Sequence, residues 1–264
     1  MSSKHRGGNI IVATGWRVTR IALVAVAFSC SALAQTRLTV SAAASLKESM
    51  VETEAAYKQS HRNVEISNNF GSSGTLAAQI DQGAPVDIFL SAAAKPMDDV
   101  EAKGLIIPGT RRNLLRNTLV LIAPLDSTLR DFSGLTANSV KMIALGDPAS
   151  VPAGQYGRQT LNYLHLFDRL NSKFVLAKDV RQVLTYVETG NADAGLVDAT
   201  DARTSGKVRV VATAPENSHD AIVYPVAAVK GSRNEAAARA FLNYLATPGA
   251  RAIFVKYGFT LAAQ

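Results

Sequence analysis

From residue 38 onward the chain alternates short apolar runs with stretches in which apolar residues recur every three or four positions. Short stretches at 38–41, 64–67 and 86–91 and the apolar stretch at 117–123 predict strands, and the stretches at 46–59, 75–82 and 95–103 predict helices between them. A second series begins after Pro124. It predicts strands at 141–145, 194–197, 208–212 and 222–229, the last interrupted by Pro225, and helices at 154–167 and 179–188. The chain closes with helices at 235–246 and 249–257, the second opened by Pro248, whose missing N–H would be unpaired in a first helical turn anyway. This alternation predicts an α/β fold of mostly parallel sheets flanked by helices. Two such series predict two lobes with crossings near Ala123 and Tyr224–Pro225, giving lobe I over 35–123 plus 226–264 and lobe II over 124–225. A cleft between them would be lined by loops at the carboxyl ends of strands.

The first 34 residues read differently. Lys4, Arg6, Arg17 and Arg20 precede an apolar run at 21–28, no acidic residue occurs, and Ala32-Leu33-Ala34 offers a small-x-small cleavage site. That pattern predicts a cleaved export signal and a periplasmic protein. Cys30, the only cysteine of the 264 residues, sits in a poorly formed lipobox and is read as leaving with the signal. The remaining chain would hold no thiol, which suits an oxidising compartment. Without residues 1–34 the net charge falls from +7 to +3, and the basic residues left are scattered. Nucleic-acid binding is therefore not expected, and no later segment is apolar and long enough to span a bilayer. Nothing points beyond a monomer.

Candidate chemistry lies in the loops that follow strands. Ala42-Ala43-Ala44-Ser45-Leu46, Phe70-Gly71-Ser72-Ser73-Gly74-Thr75 and the loop from Gly146 to Gly154 are small, rich in Ser or Gly, and each opens a helix. Helix N-termini present unpaired N–H groups and the positive end of the macrodipole. Several aimed at one cleft make an anion site without any Lys or Arg. Ser45 and Ser73 can add hydroxyl donors, and a site of donors alone favours a fully ionised anion. Singly, each loop also reads as an ordinary cap or turn.

These residues resemble the molybdate-binding periplasmic proteins of ABC importers, which have the two-lobed type II periplasmic-binding-protein fold. The resemblance rests on LTVSAAASLKESM (38–50), FGSSGTLAAQIDQGAPVDIFLSA (70–92), NTLVLIAP (117–124), GDPASVPAGQYGRQTL (146–161), DVRQVL (179–184), YPVAAVKGS (224–232) and the terminal stretch ending in YGF (241–259). It implies an oxyanion held by the Ser45 and Ser73 hydroxyls and by backbone N–H groups at Ala153 and Val180, with two positions in each lobe. It implies molybdate or tungstate as ligand, no cofactor, no catalysis, and a membrane permease as partner. One position departs: where the family commonly carries a donor tyrosine in G-[IL]-V-Y, this chain has Gly195-Leu196-Val197-Asp198. A carboxylate facing a dianion is repulsive if both stay ionised and dry. Asp198 could turn away to a backbone N–H or an Arg, be protonated and donate, or accept a proton from a ligand such as hydrogen phosphate.

The departure keeps sulfate, phosphate or another small anion open as the ligand. A serine hydrolase built on Ser45 or Ser73 would need a base in reach and an orienting acid, and neither serine sits in a G-x-S-x-G elbow or begins an S-x-x-K motif. His61, His165 and His219 are spread too far apart for metal-ligand spacing. Asp147 and Asp201 are expected to support turns and caps, and Tyr156 could line the cleft or simply pack.

Overall fold

The computed structural model describes residues 35–263; the expected export signal and Cys30 lie outside the described residues. The chain runs through β1 (Thr36–Ala43), α1 (Lys47–Ser60), β2 (Val64–Gly71), α2 (Ser73–Asp81), β3 (Ile88–Leu90), α3 (Ala94–Ala102), β4 (Arg112–Arg116) and β5 (Leu119–Pro124). It continues through β6 (Ile143–Gly146), α4 (Pro152–Tyr163), α5 (Phe167–Leu170), β7 (Phe174–Ala177), α6 (Val180–Glu188), β8 (Ala194–Asp198), α7 (Ala199–Ala202) and β9 (Val208–Thr213). It ends with β10 (Val223–Ala228), α8 (Glu235–Leu245), α9 (Pro248–Lys256) and β11 (Thr260–Leu261).

The strands form two sheets, ordered β11-β4-β10-β3-β1-β2 and β7-β6-β8-β5-β9. Both are mixed rather than mostly parallel. β1 pairs parallel with β2 and β3, and β6 with β7 and β8, whereas β10 and β5 pair antiparallel with their neighbours. The antiparallel strands are the ones the chain reaches on crossing between sheets, where no helix returns it to the same end. The crossings also fall elsewhere than expected. β5 belongs wholly to the second sheet, so the chain leaves the first lobe at Asn117–Thr118 instead of Ala123. It returns between Thr213 and Val223, and Tyr224–Pro225 lies inside β10. The Asn117 side chain accepts from the Thr118 N–H at 2.9 Å, capturing a donor that would otherwise extend β5.

Each lobe is held by its central strands. Leu38, Val40 and Ala42 of β1 are fully buried, as are Leu121, Ile122 and Ala123 of β5. Burying a Leu, Val or Ile side chain contributes roughly 1.5–3 kcal/mol, so these strands anchor the helices packed on both faces. The helix starts are fixed by local chemistry. Ser72 Oγ accepts from the Thr75 N–H at 3.3 Å to begin α2, and Asp179 Oδ1 accepts from the Gln182 N–H at 2.8 Å to begin α6. At α4, Pro152 supplies the preset first-turn φ. Gly154 is required there, because a Cβ would stand 1.9 Å from the Gly146 carbonyl oxygen.

Candidate functional site

Ser45, Ser73, Ala153, Val180 and Asp198 line one small cavity between the lobes, together with Ala43, Ala44, Gly71 and Ala92 among others. Its volume is about 10 Å³, room for the centre of roughly one water-sized sphere and far below the ~300–1,000 Å³ of organic-ligand pockets. It suits only a small occupant. Among the described residues no Lys or Arg lines it.

The cavity collects three helix starts. Ser73 opens α2, Ala153 lies in the first turn of α4, and Val180 opens α6. First-turn N–H groups have no partner in their own helix, and none of these three donates to a loop carbonyl. The Ser73 side chain is fully buried, and its Oγ accepts from the Ala92 N–H at 2.8 Å. Its own proton remains free to point into the cavity. Ser45 lies in a single 3₁₀ turn, Ala44–Leu46, that leads into α1. Its Oγ is 2.9 Å from the Tyr224 hydroxyl.

Tyr224 is the group that reading the loops missed. It is buried at a register shift of β10 against β4, beside Pro225, and its ring meets Phe259 edge-on at 5.3 Å. Its hydroxyl donates to Asp198 Oδ2 at 3.0 Å and receives Asn117 Nδ2 at 3.1 Å. Asn117 also donates to Thr200 Oγ1 at 2.8 Å. The interrupting Pro225 was the available signal, since a proline inside a strand marks a bulge and bulges re-aim side chains near sites. Asp198, 2% exposed, neither turns to a backbone N–H nor pairs directly with an arginine. Its Oδ2 takes the Tyr224 proton, and its buried Oδ1 has no hydrogen-bond partner. Burial pushes its carboxyl up to about 6, against the lowering effects of the Tyr224 hydrogen bond and the Arg181 charge.

Two further contacts join the lobes. The Gly74 N–H donates to the Ser150 carbonyl at 3.0 Å, and a Cβ at position 74 would lie 2.6 Å from that oxygen. Arg181 donates to Glu48 of α1 across the cleft and to Thr204 at 2.9 Å. Its Nε stands 2.6 Å from Asp201 Oδ1, a charge contact without hydrogen-bond alignment. Asp201 therefore does not support a turn or cap as expected: it is fully buried in α7, and burial raises its carboxyl well above the usual range in spite of Arg181. Asp147 does brace its turn, accepting from the Ala149 N–H at 3.0 Å. Tyr156 packs, tilted against His219 at 5.7 Å, and stays outside the cavity wall.

Neither serine has a histidine among its hydrogen-bond partners. His61 stacks on Tyr57 at 3.9 Å. Among the described residues no group of three or more His, Cys, Asp or Glu could hold a metal ion, and no helix is long and apolar enough to cross a membrane. A much larger open groove runs between α2–α3 and α4, lined by both charge signs, including Asp81, Lys95, Asp99 and Arg158. It holds none of the five expected residues, and the donors converge on the small cavity instead.

Two sheet-centred lobes shut on a small pocket of helix starts define a solute-binding protein. The model of the bacterial extracellular solute-binding protein family matches residues 38–260, and the chain belongs to that family. It is 43% identical over 231 residues to the molybdate-binding protein ModA of Escherichia coli (strain K12), covering 85% of this chain and 89% of that protein. It is 39% identical over 251 residues to ModA of Haemophilus influenzae, covering 92% and 98%. Among solved structures, the periplasmic molybdate-binding protein of Azotobacter vinelandii superposes with a TM-score of 0.77 at 27% identity, over 86% of this chain and 100% of that one.

Proposed function

We propose that this chain is the periplasmic capture component of an ABC importer, holding molybdate or tungstate between its lobes and delivering it to an inner-membrane permease. One observation carries the reading. The Ser73 hydroxyl and the first turns of α2, α4 and α6 converge on a small cavity between the lobes, and among the described residues no cationic side chain lines it. Such a site holds a small, fully charged oxyanion by hydrogen bonds and helix dipoles alone. The 39–43% identity to molybdate-binding relatives supports the choice of anion. Donors from both lobes meet only when the cleft is shut, so capture and closure are one event. A protein of this kind works as a monomer without cofactor and changes no bond in its ligand.

A second reading, hydrogen phosphate, is favoured by Asp198 alone, which lines the cavity and whose buried Oδ1 has no hydrogen-bond partner among the described residues, leaving it able to accept from a protonated anion. Calorimetric titration with molybdate, tungstate, sulfate and phosphate at neutral pH separates the two. Tight one-to-one binding of molybdate and tungstate with silent phosphate is the expected result. Heat with phosphate alone would keep the fold and replace the ligand.

A further inference from the structure

Ser45, Tyr224 and Asp198 form one continuous chain that ends at the cavity. Its contacts are Ser45 Oγ to Tyr224 Oη at 2.9 Å and Tyr224 Oη to Asp198 Oδ2 at 3.0 Å. An anion accepting from Ser45 adds a third contact. Each contact needs one proton between its two oxygens, and Ser45 and Tyr224 carry one each. A bare dianion has none, and neither has an ionised Asp198. Three contacts and two protons leave one pair of oxygen lone pairs face to face. With Asp198 ionised, Tyr224 donates to it, Ser45 donates to Tyr224, and Ser45 meets the cavity with lone pairs only. Asn117 cannot repair this, because its Nδ2 donates to Tyr224 from the side and adds nothing along the chain.

We propose that Tyr224 is the positioning residue for Ser45, and that a bare tetrahedral dianion is captured together with one proton, taken from solvent onto Asp198. The added proton sits on Asp198 Oδ2 and is donated to Tyr224. Tyr224 then donates to Ser45, and Ser45 donates to the anion, with no heavy atom moved. Three contacts hold three protons, and the dianion no longer faces a carboxylate. The same count separates the anions by their proton balance: one that brings its own proton, such as hydrogen phosphate, would fill the third contact itself and bind without uptake. This deepens the proposed function and rests on it.

The surroundings of Asp198 favour the uptake. Tyr224 of β10 and Tyr156 of α4 face it as neutral phenols, both held above their ordinary value by burial and by the Asp198 charge. Among the described residues Arg181 of α6 is the cation facing it and favours the ionised form, but it is shared with Asp201 of α7 and Glu48 of α1. Asp201 is a second buried carboxyl whose charge opposes that of Asp198, with Asp179 and Glu48 acting in the same sense on Asp201. Burial has already raised Asp198 to about 6, against the Tyr224 hydrogen bond and the Arg181 charge, before a dianion arrives.

Calorimetry of the purified protein with molybdate at pH 7.5, in two buffers of different ionisation enthalpy, counts the protons directly. About one proton taken up per molybdate is expected, with affinity falling about tenfold per pH unit between pH 7 and 8.5. Asp198→Asn places an amide donor against Tyr224, so this variant should bind without uptake, independently of pH, and more tightly than wild type at pH 8. Tyr224→Phe frees the Ser45 proton and should also abolish uptake. Tight molybdate binding without proton uptake in wild type would overturn the inference and leave the proposed function standing. Uptake retained in Asp198→Asn would place the proton on another group, Asp201 first, and would overturn it equally. Silence with all four anions from pH 5.5 to 8 would overturn the proposed function and this inference with it.

Discussion

Ser73 and Ser45 occupy matching places in the cavity, each in the turn that leads from a strand of the first sheet into a helix, yet they are not equivalent donors. Ser73 Oγ accepts from the Ala92 N–H, so its lone pair is occupied and its proton is free. Ser45 Oγ meets the Tyr224 hydroxyl, whose own proton is committed to Asp198. The same residue type at the same kind of position is a ready donor in one corner and a conditional one in the other. What separates them is the partner behind each oxygen: a backbone amide, which can only donate, against a phenol, which can do either.

The largest effect should come from breaking the Ser73 corner at its neighbour. Gly74→Ala puts a methyl group 2.6 Å from the Ser150 oxygen across the cleft, which holds the lobes apart and removes the α4 and α6 donors together. At ~1.5–3 kcal/mol for each charge-assisted bond, anion affinity should fall by roughly a hundredfold or more. Small-angle scattering should show a more open particle with anion present; an unchanged affinity would mean that closure does not need this contact.

Next in size is the cost of keeping Asp198 charged. Its folded-state value is raised, so its contribution to stability is complete below about pH 4 and is lost as pH rises through about 6. The loss by pH 8 is on the order of 3 kcal/mol, at ~1.4 kcal/mol per pH unit. Denaturant melts without anion should therefore show Asp198→Asn more stable than wild type at pH 8, with the gap closing toward pH 4. Asp201 shifts in the same direction, so part of the wild-type decline with pH should persist in the variant.

Ser73→Ala should weaken molybdate binding by roughly ten- to a hundredfold at every pH, since it removes a free donor worth ~1.5–3 kcal/mol. It also strips the buried Ala92 N–H of its acceptor and should lower stability by about 1–3 kcal/mol. The smallest effect is expected for Ser45→Ala at pH 8, below tenfold, growing to about tenfold or more at pH 5.5, where its proton is released to the anion. Equal losses for the two serines at both pH values would erase the distinction between the corners.

Much of this was legible in the chain. β5 is a continuous apolar run because both sheet faces are covered, β1 alternates Leu38, Val40 and Ala42 with Thr39 and Ser41, and α6 and α9 announce themselves through Asp179, Thr247 and Pro248. The strands missed were β4, β7 and β11. β4 reads Arg-Asn-Leu-Leu-Arg with two buried residues, β7 is an edge strand with Leu176 exposed, and β11 has two residues. The five expected site positions, read from loop composition and resemblance, line one cavity. Asn117 and Arg181 escaped because nothing in the local sequence tells that a crossing amide and a helix arginine face the opposite lobe, and Tyr224 escaped because Pro225 signals a bulge without telling what its neighbour faces.

The sequence by itself determined the periodicities, the caps and the small-residue turns, since each is set by a few neighbouring residues. Those fix two α/β lobes and helix starts free to receive an anion. It also determined that a carboxyl, not a phenol, follows Gly195-Leu196-Val197. Only the tertiary structure decided what that carboxyl does. It brought Tyr224 from a strand 26 residues further on between Asp198 and Ser45, and so joined the carboxyl to the donor it controls. Proton direction in a hydroxyl chain depends on both of its ends, and here the ends lie in different lobes.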